Sequence, residues 1–100
     1  MSAKYTNLEL TALRVLAEAP AGRGWALHEV GERVAQARGM ERHQLLTNQA
    51  LARYAGQILF RKHMMRLWRQ DHYADRLGGL YLSADGAEVL RAHAVEAANG

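Results

Sequence analysis

The apolar residues of this chain change their period after Lys62 and change back after Ser83, and that pattern limits the available folds more than any other feature. Up to Lys62 they recur every three to four positions, the spacing of helices buried along one face. Met65 to Trp68 and Gly79 to Ser83 alternate instead, which is the period of a strand. A helical pattern then resumes. One hundred residues leave room for a single hydrophobic core, so these segments are expected to form one domain, 1–100, with 1–6 and 97–100 frayed.

The first helix is expected from about Asn7 to Ala19, with Asn7 as its cap and Leu10, Leu13, Leu16 and Ala17 on its apolar side. Glu9 falls in its first turn, where the helix dipole favours a carboxylate. Pro20 ends the helix, Ala21 to Gly24 form a turn, and Trp25 to Leu27 form a short extended link. A second helix follows over Leu27 to Ala37, with Leu27, Val30, Val34 and Ala37 inward and Gly39 as its stop. Met40 to Leu46 has no clear period and reads as a connection.

Thr47 or Asn48 caps the third helix, expected over Asn48 to Lys62, with a buried stripe of Leu51, Tyr54, Ala55, Ile58 and Leu59. Its outer face carries Asn48, Gln49, Ala52, Arg53, Gly56 and Gln57, polar without an acid. Two short strands joined by a polar loop, Asp71 to Gly79, make a hairpin over 64–82. Ser83 then caps a last helix with Val89, Leu90, Ala94 and Ala97 on its apolar side. The alternative is one long helix over 48–77, a stretch with no proline and one glycine. The fold class is α+β and mostly helical.

Charge is unevenly distributed along this order. From Arg53 to Arg76 there are six basic residues and two acids, a net of +4, whereas the other 76 positions hold seven basic and eight acidic residues. Such a footprint points to an anionic partner, nucleic acid first, or to an ordinary Arg-rich surface. No apolar run approaches the roughly 20 residues needed to span a bilayer, and Met1 to Leu10 lacks a signal-peptide core. The absence of cysteine excludes disulfides and thiolate metal sites and fits a reducing cytoplasm. His28, His43, His63, His72 and His93 are scattered, with no pair at helical metal-site spacing. Neither a phosphate-binding loop nor a nucleophile elbow is present, so neither an enzyme nor a cofactor is expected.

Helix, extended link, helix, helix, hairpin, helix is the order of a winged helix-turn-helix domain, with its three-helix core, two-stranded wing and C-terminal helix. Ala12-Leu13-Arg14-Val15-Leu16-Ala17-Glu18-Ala19-Pro20 resembles the first-helix ending of PadR-type and MarR-type bacterial regulators. Gly24-Trp25-Ala26-Leu27-His28-Glu29-Val30 resembles the entry to their second helix. Leu80-Tyr81-Leu82-Ser83-Ala84-Asp85-Gly86 resembles the Tyr-x-Leu-Thr-x-x-Gly passage out of their last wing strand. The chain departs from PadR-type proteins at the third helix, where Leu46-Thr47-Asn48-Gln49-Ala50-Leu51 replaces a Gly-Thr-Leu-Tyr-like run.

The resemblance implies a regulator that places helix three in the major groove of double-stranded DNA. Asn48, Gln49, Arg53 and Gln57 would face base edges there, with small Ala52 and Gly56 permitting close approach. Thr47, Arg61, Lys62, Arg66, Arg69, His72 and Arg76 would meet phosphate, with Asp71 and Asp75 available to pair locally with Arg69 or Arg76. A homodimer formed through the first and last helices would supply two-fold affinity. The competing expectation is a protein-interaction module of the same shape, anchored by exposed Trp68, Tyr73 and Met64.

Overall fold

The structure, a computed structural model, describes residues 4–73 and 76–99, with side chains for 4–71 and 79–94. Over the described residues it is mostly helical, with four α-helices and one two-stranded antiparallel sheet. Helix α1 spans Asn7–Ala17, two residues shorter at its end than the periodicity predicts. Its cap is Thr6, not Asn7. The Thr6 hydroxyl accepts from the Glu9 amide at 3.1 Å, and the Glu9 carboxylate accepts from the Thr6 amide at 2.9 Å. Tyr5 is buried beside this cap, so residues expected to fray belong to the core.

Helix α2 spans Leu27–Ala37 as expected, and Gly39, at φ +74°, closes it. Ala26 offers no capping side chain, so the reciprocal half alone is present, with Glu29 accepting from the Ala26 amide at 2.9 Å. Burial pushes the Glu29 carboxyl up. The Ala26 amide and the Arg23 guanidinium more than offset that, leaving it below the ordinary carboxylate range. A single 3₁₀ turn, His43–Leu45, occupies the connection to helix α3, Asn48–Leu59. At Gly31 an added Cβ would lie 2.0 Å from the Leu51 carbonyl oxygen, which is why α2 and α3 can cross so closely.

Helix α3 spans Asn48–Leu59 and is capped by Thr47, whose hydroxyl accepts from the Ala50 amide at 3.1 Å. It ends at Leu59, three residues before Lys62, with Phe60 as its C-cap, and a second 3₁₀ turn follows over Lys62–Met64. The long helix over 48–77 is therefore excluded, because the chain leaves the helix so that Met64 and Leu67 can enter the core. Strand β1 runs over Trp68–Tyr73 and β2 over Arg76–Leu82, paired Trp68 to Leu82 and Gln70 to Leu80 with a register irregularity between Gln70 and His72. The hairpin thus begins at Trp68 rather than 64. Much of the expected loop is strand.

Trp25 adds a one-residue bridge to β2, exchanging backbone hydrogen bonds with Leu80 at 3.1 and 2.8 Å. This link needs glycine on both sides, since a Cβ at Gly79 would meet the Arg23 carbonyl oxygen at 2.2 Å. Helix α4 spans Ala84–Asn99, and the Ser83 hydroxyl caps it by accepting from the Gly86 amide at 3.0 Å. The core gathers Leu13 and Leu16 of α1, Val30 and Val34 of α2, Ile58 and Leu59 of α3, Met64 and Leu67 of the connection to the hairpin, and Leu80 of β2, with Trp68 of β1 and Val89 and Leu90 of α4 packed on its edge. Trp25 lies in this core with its indole N–H donating to the Val15 carbonyl at 2.9 Å and the Arg33 guanidinium 3.8 Å above its ring. Tyr54, expected in the stripe of α3, is only half-buried. Among the described residues no helix is long and apolar enough to cross a membrane.

Candidate nucleic-acid interface

The outer face of α3 is the part of the expected site that the fold leaves open. Asn48, Gln49, Arg53 and Gln57 are all exposed, and their own side chains make no hydrogen bond or ion pair with the described residues. Their spacing places Gln49, Arg53 and Gln57 on one side of the helix, opposite the buried Leu51, Ala55, Ile58 and Leu59, whereas Asn48 lies half a turn round from Gln57 and is exposed at the start of the helix instead of on the expected shared face. No carboxylate side chain occurs between Glu41 and Asp71. The face therefore presents two amides and one guanidinium, all exposed to water, with no acid on its own element. Thr47 sits at the start of the face with its hydroxyl oxygen already accepting the Ala50 amide.

Gly56 does not leave the gap expected of it. The Phe60 ring lies over it, with ring carbon atoms 3.1 and 3.3 Å from where a Cβ would stand. Phe60 is 55% exposed and is braced by Trp68, whose ring centre is 5.7 Å away. The Trp68 indole N–H donates to the Leu59 carbonyl at 2.8 Å. Leu27, Ala52 and Phe60, with Gln49, Arg53 and Gln57 beside them, line a shallow depression along α3. The sequence pattern did not single out Phe60, whereas Leu27, expected inward, is partly buried against the core and also lines the depression. The available signal was spacing, since Phe60 continues the 49, 52, 53, 56 series by one turn.

The remaining expected cations separate into three groups. Arg61 turns inward: its guanidinium donates to the buried Glu9 carboxylate at 2.6 Å and to the Gln57 carbonyl at 3.0 Å. His63 reaches the same Glu9 oxygen at 2.8 Å. Glu9 is 2% exposed, and burial pushes its carboxyl up. The Thr6 amide, Arg61 and His63 together outweigh that and hold it below the ordinary range. Arg61 is thus a structural cation joining the end of α3 to the start of α1, an arrangement hidden in a sequence separation of 52 residues.

On the hairpin, Arg69 pairs with Asp71 and lies 4.5 Å over the Tyr81 ring, the local pairing the sequence allowed. Arg66 is 3.6 Å from Asp85 at the start of α4, and both are exposed. Lys62 is exposed and unpaired among the described residues. The side chains of His72, Tyr73 and Arg76, and the whole of Asp75, lie outside the described residues. Met64 is fully buried and Trp68 half-buried, so neither is the exposed anchor that a protein-interaction reading expected. Among the described residues no group of three or more His, Asp or Glu side chains stands close enough to hold a metal.

No family model, curated protein or solved structure matches this chain. The site is therefore read from its own chemistry.

Proposed function

We propose that this chain is a winged-helix DNA-binding protein of the bacterial cytoplasm, a transcriptional regulator that lays α3 in the major groove and the β1–β2 hairpin against the backbone. The observation that carries this reading is the outer face of α3. Its exposed amide and guanidinium groups are hydrogen-bonded to water, and a polar partner that matches their geometry can take the place of that water. Amides pair two-pronged with adenine and guanidinium with guanine, and both are repelled by nothing on α3. Lys62, Arg66 and Arg69 supply phosphate contacts, since surface ion pairs such as Arg69 with Asp71 are weak enough to exchange for phosphate.

A homodimer on a two-fold site supplies the affinity that one small chain lacks, with α1 and α4 as the shared surface. Ala94 of α4, expected on its apolar side, is exposed past the point where Val89 and Leu90 meet the core and is available to a second copy.

The test is an anisotropy titration with random-sequence duplex at two salt concentrations, followed by selection of a preferred site. Arg53→Ala is expected to flatten discrimination between the selected and random duplexes by about tenfold. Lys62→Ala is expected to weaken both alike. Absence of binding to any duplex at low salt rejects the reading in favour of a protein partner, for which exposed Leu45, Phe60 and Met65, rather than Met64, are the most exposed apolar anchors among the described residues.

A further inference from the structure

The depression along α3 has a feature that phosphate binding and amide pairing do not require. Its floor is apolar, made by Leu27, Ala52 and Phe60, while Gln49, Arg53 and Gln57 stand beside it. Phe60 is held out by the structure rather than left over. Its ring covers Gly56 on one side and meets the Trp68 ring on the other, and Trp68 is tied to the Leu59 carbonyl.

An apolar floor on an acid-free, cation-bearing face is stabilised by binding only where an anionic partner presents an apolar group between its polar ones. In the major groove of duplex DNA that group is the C5-methyl of thymine, the one apolar substituent on any base edge there. Resting on the DNA-binding reading above, we propose that this depression reads thymine methyl groups. Phe60, with Leu27 and Ala52, takes the methyl, while Gln49 or Gln57 pairs with the edge of an adenine in the same or the adjoining base pair. The preferred site therefore contains A·T pairs where α3 crosses the groove. By the same chemistry, cytosine methylated at C5 is accepted at the thymine position better than cytosine.

Replacing thymine by uracil, one position at a time, removes only the methyl and keeps base pairing. With the unmodified protein and its selected duplex, uracil at one or two positions is expected to raise Kd roughly fourfold, the value of one buried apolar carbon. Phe60→Ala protein, checked for an unchanged circular dichroism spectrum, is expected to bind the thymine and uracil duplexes equally. The proposal falls if uracil is tolerated at every position, or if Phe60→Ala still prefers thymine. Either result leaves DNA binding itself intact, so it is distinct from failure of the underlying reading. Lack of binding to any duplex removes both.

Discussion

At the scale of single residues, Glu9 shows how context overrides position. Its place in the first turn of α1 accounts for a favourable dipole interaction, worth a few tenths of a kcal/mol at a surface. The structure buries it and surrounds it with the Thr6 amide, Arg61 and His63. Because its folded pKa lies below the unfolded one, its contribution is present above the ordinary carboxyl range and is lost as pH falls through the folded value. Glu9→Gln keeps the shape and the Thr6 bond but removes the charge. Urea unfolding at neutral pH is expected to show a loss of about 2 kcal/mol, moderated because Arg61 and His63 keep contact with water. Below the folded pKa the difference between variant and parent is expected to shrink towards zero. A loss that is the same at both pH values would show that the charge is not what matters.

At the scale of elements, the crossing of α2 and α3 is set by one missing methyl group. Intrinsic propensity favours alanine over glycine within a helix by about 1 kcal/mol. At position 31 that gain meets a carbonyl oxygen 2.0 Å from the new Cβ, so the helices must separate. Gly31→Ala is expected to lower stability by about 2 kcal/mol in thermal unfolding, and an unchanged or raised Tm would refute the close crossing. The turn into α4 is a second such joint. The Ser83 hydroxyl accepts from Gly86 and donates to the Arg66 carbonyl at 2.7 Å, so it caps the helix and ties it to the base of the hairpin. Ser83→Ala is expected to lower the urea midpoint by the equivalent of about 1 kcal/mol.

At the scale of the whole molecule, the positive segment Arg53 to Arg76 is smaller in effect than its count implies. Arg61 is spent on the interior, and Arg66 and Arg69 stand beside acids. Arg53 and Lys62 are the two described cations of the segment without a partner. In DNA binding this distinguishes cations that touch phosphate from those that hold the fold. Lys62→Ala is expected to reduce the slope of log K against log salt by about 1. Arg61→Ala is expected to leave that slope unchanged while lowering Tm, because its partner is Glu9. A slope change for Arg61→Ala would place its guanidinium on phosphate instead.

The sequence by itself determined what depends on neighbours close along the chain. The bounds of α2, the start and cap of α3, the Gly39 stop, the Ser83 cap and the presence of a hairpin all follow from periodicity and capping chemistry acting over a few residues. The open face of α3 was legible for the same reason, since a helix that buries Leu51, Ile58 and Leu59 must expose Gln49, Arg53 and Gln57. Tertiary structure decided where α3 ends, because burial of Met64 and Leu67 pulls the chain out of the helix at Phe60. It also decided that Arg61 faces Glu9, that Gly79 meets the Arg23–Gly24 backbone, and that Phe60 stands over Gly56 beside Trp68. Each of these is a contact between segments distant in sequence. Local periodicity carries no record of it, because the free energy that fixes it comes from packing and charge pairing across the core.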